Sequence, residues 1–317
     1  MQEVTTFVGV DVAKDELMVC VHGQPGTQRL PNQAQAVRQW LKSLPAGSAV
    51  AVESTGRYHQ LLVAQAHALG MPVFVLNARD VFFYAKAMGA RGKTDRVDAQ
   101  LIARYLVEHY TCLRPFQPPT ATQAEIDRLL NQRWSVVSKR TALRQSLADA
   151  TALGECLDEL EFAFKKMLDR IDARIQSLID ANTDLRHAQQ RLQSITGIGL
   201  QSSALLASLL SRIPFASADA LVAYSGLDPR PCDSGRYRGR RRLSKRGPAA
   251  LRRQMYLVAF SACHSKLLHP IYQKLRDQGF KTTEALVILA RKLLRVAFAV
   301  WKSGQPFDPA LIGQKKP

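Results

Sequence analysis

Long apolar runs are missing from this 317-residue chain: none reaches the roughly 20 residues that a helix needs to cross a bilayer. Paired cysteines are missing too. Cys20, Cys112, Cys156, Cys232 and Cys263 are odd in number and form no CxxC pair, which leaves neither a zinc motif nor a disulfide framework. The opening stretch, MQEVTTFVGVDVAKDE, lacks the basic start and cleavage pattern of a secretory signal. A reducing cytoplasm is therefore the expected setting. Acidic residues are scarce in one region only. Residues 191–317 hold 22 Lys and Arg against 6 Asp and Glu, which places +16 of the total +18 there. Residues 1–115 carry +3 and residues 116–190 carry −1 by the same count. An excess so localised points to one domain facing a polyanion, most naturally nucleic acid. A membrane surface fits less well, because no strong amphipathic apolar face accompanies the basic segment.

What is present divides the chain in three. In residues 1–115 strand-like and helix-like segments alternate. Residues 6–12 (TFVGVDV), 17–22, 48–53 (SAVAVE) and 72–76 read as strands, and 34–44, 58–69 and a segment starting at 81 as helices. Strands separated by helices of this length predict a mixed sheet covered by helices. LRPFQPPT, at 113–120, has three prolines and reads as a boundary. Residues 116–192 follow as a helical arm, with 123–153 and 158–192 free of interior proline and glycine apart from a break near Gly154. An antiparallel helical hairpin or coiled coil is the expectation, with near-zero charge suiting a spacer or dimerisation arm. Residues 193–317 form the basic domain.

Two aspartates three apart, Asp95 and Asp98, open a helical pattern in GKTDRVDAQLIARY and share one helix face. Taken alone they are a solvated helix start capped by Thr94. Two further carboxylates change their weight. Asp11 interrupts the apolar strand VGVDV, where an unpaired ion is costly to bury, and Glu53 ends the strand segment SAVAVE. Two carboxylates on strands and two on a helix that can pack across them is the arrangement of ribonuclease H-like, RuvC-type (Holliday-junction-resolvase) nucleases. Four oxygen donors without histidine or cysteine select Mg²⁺, with Mn²⁺ as the substitute.

The basic domain carries two more features. Gly197 and Gly199, in ITGIGLQSSALL, form a turn directly before a helix, as in helix-hairpin-helix modules; a plain tight turn between packed helices has equal weight. Ser234 and Gly235 then precede a dense cationic run of Arg236, Arg238, Arg240, Arg241, Arg242, Lys245 and Arg246. Serine before glycine is most often a turn. Here guanidinium groups surround it, and they could stabilise a pentacoordinate phosphoryl group while the hydroxyl attacks.

The order GVDVAKDEL, AVESTGRYH, GKTDRVDAQLIARYL, GIG, AYSGLDPRPCDSG, GRRRLSKRG and LRRQMYLVAFSA resembles the DEDD transposases of insertion-sequence family 110, relatives of the Piv-like DNA invertases. The resemblance runs over essentially the whole chain. It implies a resolvase-like first domain, a coiled-coil arm and a mostly helical transposase domain. By the same resemblance, the family's acidic tetrad falls on Asp11, Glu53, Asp95 and Asp98, and its nucleophilic serine on Ser234. A Mg²⁺-dependent recombinase of donor and target DNA is implied, guided by a structured bridge RNA and working as a homodimer or homotetramer. Arg246 to Pro248 reads Arg-Gly-Pro where many members have Arg or Met followed by Gly-Asn, a departure that touches local loop contacts. The residues by themselves leave two other readings open: a junction nuclease using water, and a non-catalytic RNA- or DNA-binding protein.

Overall fold

The computed structural model describes residues 4–311 apart from 55, 57, 90, 91, 93 and 240, and the chain gathers into two compact units that divide between Pro118 and Pro119.

The first unit is a five-stranded sheet with helices on both faces. In chain order it comprises β1 (Thr6–Val12), β2 (Glu16–Val21), β3 (Gln28–Pro31), α1 (Ala34–Ser43) and β4 (Ser48–Glu53), then α2 (Gln60–Ala68), β5 (Val73–Leu76), α3 (Ala78–Ala87) and α4 (Asp95–His109). The strands lie in the order β3-β2-β1-β4-β5. The pairings β3 to β2 and β2 to β1 are antiparallel, and β1 to β4 and β4 to β5 are parallel. Strand alternation sorts the side chains. Val8, Val10, Val12, Val50 and Val52 face α1 and α2, meeting Val37, Leu41, Leu62 and Ala66. On the other face Phe7, Ala49, Ala51 and Phe74 meet Ile102 and Leu106 of α4. Both faces are dry, which is why β1 and β4 read as nearly continuous apolar runs. β3 gives no such signal, since Leu30 is its one buried residue.

The second unit is mainly helical, with α5 (Ala121–Ser146), α6 (Gly154–Asp180), α7 (Thr183–Gln193), α8 (Leu200–Arg212), α9 (Ala218–Ser225), α10 (Ala249–Ala262), α11 (His269–Asp277) and α12 (Thr282–Ser303). A capping box starts α5, where Thr120 accepts from the Gln123 amide and Gln123 accepts from the Thr120 amide. Arg133 reaches Asp172 at 2.7 Å, Arg140 reaches Glu161 at 2.7 Å and Arg174 reaches Glu125 at 2.9 Å. As one residue number rises the other falls, so α5 and α6 run antiparallel. The continuous helix expected over 158–192 is broken. Asn182 leaves the helical conformation and its side chain accepts from the Leu185 amide at 3.0 Å, starting α7. An N-cap residue interrupts a helix without any proline or glycine to announce it. Leu192, Leu206, Met255 and Leu294 join α7, α8, α10 and α12 in one core that also takes in Ile126 and Ile175. Among the described residues no helix is long and apolar enough to cross a membrane.

Candidate active site

Parallel pairing brings the two strand carboxylates side by side. Val10 is in register with Val52, so the next residues, Asp11 and Glu53, stand together at the C-terminal ends of β1 and β4. By alternation Asp11 shares a face with Phe7 and Gly9, and Glu53 with Ala49 and Ala51. That is the face α4 covers.

The approach of α4 depends on Gly9. A Cβ there would lie 2.2 Å from the Ala103 nitrogen and 2.3 Å from the Ala99 carbonyl oxygen, so the helix backbone rests on the strand where a side chain is absent. Farther along, Tyr110 meets Phe7 edge-on at 5.3 Å. The helix end is thus near the start of β1 and its middle near Gly9. Continued one turn, α4 places its first residues over the strand ends that carry Asp11 and Glu53. Those first residues are Asp95 and Asp98, with the Thr94 hydroxyl accepting from the Val97 amide at 3.3 Å. Asp95 is exposed, and Asp98, Asp11 and Glu53 are half-buried. The four carboxylates therefore share one face and one end of the sheet. Among the described residues, however, no three His, Cys, Asp or Glu side chains are close enough together to hold a metal ion. As carboxylates, the four carry only oxygen, chemistry that would suit a hard divalent cation better than zinc.

The serine sits in the second unit on a small ribbon. β7 (Asp233–Ser234) pairs with β8 (Tyr237–Arg238), Ser234 opposite Tyr237 and Asp233 opposite Arg238. The two-residue turn is Gly235-Arg236, with Gly235 at φ 55. A positive φ confined to the first central position is the type II′ pattern, which takes glycine there. Ser234 is exposed beside this turn. Arg241 donates twice to the Asp233 carboxylate, at 2.7 and 2.8 Å. These bonds hold the Asp233 carboxyl below the usual carboxylate range and the Arg241 guanidinium above its own. Gly239 closes the ribbon: its amide donates to the Cys232 carbonyl at 3.1 Å, and a Cβ would stand 2.1 Å from that oxygen. A second ribbon, β6 (Pro229–Arg230) with β9 (Arg242–Leu243), sets Arg230 opposite Arg242.

The base of this loop is tied into the core. The buried Ser244 hydroxyl donates to Asp228, and Arg252 of α10 donates to the carbonyls of Gly247 and Ser225. Sequence reasoning missed Asp228, Asp233 and Ser244 as loop supports. The signal available was an acidic residue immediately before the serine within a run of arginines. Of the predicted cations, Arg236, Arg238, Arg241, Arg242, Lys245 and Arg246 are all exposed, and Arg240 lies outside the described residues. Arg241 is the one engaged by Asp233.

The glycine turn has a packing reason of its own. Gly197 is at φ 91, and a Cβ on it would meet the Ala262 Cβ at 2.7 Å and the Val258 carbonyl at 2.8 Å. The Gly199 amide, at the start of α8, is taken by the Ser202 hydroxyl at 3.0 Å.

Two family profiles cover most of the chain. Residues 8–152 match one described as a transposase of the DEDD IS110 type, and residues 189–273 match "Transposase IS116/IS110/IS902 family". The chain belongs to the IS110 family of transposases. The first match contains all four carboxylates and the second contains Ser234. This transposase is also similar to the "Pilin gene-inverting protein" of Moraxella bovis and that of Moraxella lacunata. Each is 27% identical over 321 residues, spanning 96% of this chain and 98% of the relative. A shorter similarity, 34% over 128 residues, relates it to the "Insertion element IS900 uncharacterized 42 kDa protein" of Mycobacterium paratuberculosis, covering 39% of this chain and 32% of that one.

Proposed function

We propose that this transposase cuts and rejoins DNA through a covalent link to Ser234, with the carboxylates of the first unit holding Mg²⁺ or Mn²⁺. The observation that carries the reading is Ser234 itself, exposed beside a tight turn, on a ribbon held by Asp233 and Arg241 and flanked by exposed arginines. The Ser234 hydroxyl attacks a phosphodiester phosphorus. A serine-oxygen–phosphorus bond forms, one deoxyribose oxygen–phosphorus bond breaks, and the departing oxygen leaves as a hydroxyl with the serine proton. No water enters, so the phosphate ester is conserved for rejoining to another strand. Arg236, Arg238 and Arg242 supply positive charge for the phosphoryl oxygens.

Asp11, Glu53, Asp95 and Asp98 would hold the cation. Such a cation supplies charge stabilisation for the phosphate and its leaving oxygen when bound. The strand order and the carboxylates at the strand ends support a ribonuclease H-like, RuvC-type first domain. The tetrad and the serine belong to different units, and the family resemblance implies a homodimer or homotetramer. The guide role of a bridge RNA rests on the family resemblance; the charge of residues 191–317 supports a nucleic acid without choosing between RNA and DNA.

The test is a reconstituted recombination reaction with supercoiled donor and target DNA and the RNA that co-purifies with the protein. Junction products that need Mg²⁺ or Mn²⁺, vanish with chelator and require the RNA support the proposal. Equal junction formation without RNA removes the guide, and formation in chelator removes the cation.

A further inference from the structure

A cavity of about 410 Å³ opens within the second unit between α5, α8, α9 and α10. Its size is that of a small-ligand pocket, and its lining mixes apolar side chains with a few convergent polar ones. Trp134 lies on one wall, 39% exposed, with the Arg253 guanidinium carbon 3.6 Å from the ring centroid. Arg133, the neighbour of Trp134, already has Asp172 at 2.7 Å. No acidic side chain among the described residues accompanies Arg253, and burial pushes its pKa down. The wall also carries Asp127 and Arg212. Burial pushes the Asp127 carboxyl up against the opposing pull of Arg212 and a hydrogen bond from Ser208. The Arg212 Nε is buried without a hydrogen-bond partner. None of these groups has a part in the strand chemistry.

A guanidinium carbon 3.6 Å from the indole centroid is held against the ring. It offers a stacking face to a flat aromatic ligand and an edge of N–H donors to an anion. A carboxyl and a guanidinium deeper in the same cavity offer an acceptor and donors to the edge of such a ligand. A nucleotide combines a flat ring, a hydrogen-bonding edge and a phosphate. We infer that this cavity receives one unstacked nucleotide of a single strand. Its base lies against the Trp134–Arg253 pair, its polar edge faces Asp127 and Arg212, and its phosphate meets the Arg253 donors. The inference rests on the reading of this unit as a nucleic-acid-binding one. The strand has two sources of the same chemistry, the bridge RNA and the single strand freed during exchange.

The experiment measures affinity of the full-length protein for single strands of roughly 20 nucleotides, dT and rU homopolymers, and for abasic strands of the same backbone. Base stacking is worth about 1–3 kcal/mol per base, roughly a 5- to 150-fold affinity difference. Wild type should prefer the base-bearing strand, and Trp134→Ala should lose that preference by a factor in this range. Binding of the abasic strand should stay unchanged, which also reports an intact fold, and Trp134→Tyr should restore much of the preference. A larger loss on rU assigns the site to the RNA, and a larger loss on dT to the exchanged strand. Should Trp134→Ala fail to fold, Asp127→Asn must change the preference among dA, dC and dT strands. The inference is overturned if Trp134→Ala keeps the preference on both sets, if it weakens base-bearing and abasic strands alike, or if Asp127→Asn leaves base preference untouched. Failure of wild type to bind any strand, abasic included, overturns the nucleic-acid reading of the unit as well.

Discussion

Gly9→Ala changes one hydrogen to a methyl group at the point where α4 rests on β1. The new Cβ would stand 2.2 Å from the Ala103 nitrogen, 2.3 Å from the Ala99 oxygen and 2.8 Å from the Ala103 Cα. All three are backbone atoms, so no rotamer change relieves the clash. Ordinary contact begins near 3.4 Å, so the helix must retreat by about 1.2 Å, the difference between 3.4 and 2.2. Overpacking costs roughly 1–3 kcal/mol, and the rigid backbone puts this case at about 3. For a unit of this size that is a fall in melting temperature on the order of 10 °C. The same retreat carries Asp95 and Asp98 away from Asp11 and Glu53, and a misplacement of about 1 Å can lower a rate by roughly 100-fold. The assay pairs thermal unfolding with cation-dependent DNA cleavage at a temperature where the variant is folded. Ala103→Gly added to Gly9→Ala should not rescue it, because the clash is with main-chain atoms. Stability within about 1 kcal/mol of wild type together with undiminished cleavage would mean that α4 takes up the methyl group freely and that its close approach does not set the site.

Four further outcomes follow from the same geometry. Ser234→Ala should abolish recombination while RNA binding, measured by gel shift, persists. Asp98→Asn should remove cleavage with little change in the melting temperature measured without metal, since deleting one charge from a group of like charges relieves repulsion. Arg236, Arg238 and Arg242 changed together to Gln should flatten the log–log salt dependence of DNA affinity by up to about 2.7 units, near 0.9 for each phosphate contact, on matched and mismatched DNA alike. The Asp233–Arg241 clamp should depend on pH in one direction. The folded carboxyl is depressed by Arg241, so the clamp is fully present above the usual carboxylate range and is lost as pH falls through the lower folded value. The Gly239 amide resonance should therefore stay constant at neutral pH and move only in acid.

Much of the first unit was legible because alternation and apolar content act locally. TFVGVDV and SAVAVE carry their strand character within six or seven residues, and the boundaries found for β1 and β4 coincide with those segments. β3 was not legible: QRLP buries one side chain, and pairing with β2 makes the strand. The break at Asn182 was hidden for a related reason, because a polar N-cap looks like any polar position on an exposed helix face. Gly9 looked like one more small residue in an apolar strand, and only the packing of α4 reveals why a side chain is excluded. At the candidate site, residue types and chain order named the carboxylates and Ser234. The register that puts Asp11 beside Glu53 and the Asp233–Arg241 clamp are tertiary facts that spacing does not encode.

A covalent link between Ser234 and DNA can be trapped with a suicide substrate. A DNA site nicked so that the cleaved end diffuses away prevents rejoining and traps the intermediate. Wild type should give a protein–DNA adduct, mapped by mass spectrometry to the peptide containing Ser234, and Ser234→Ala should give none. Free nicked ends without adduct, or an adduct that survives Ser234→Ala, would contradict that link.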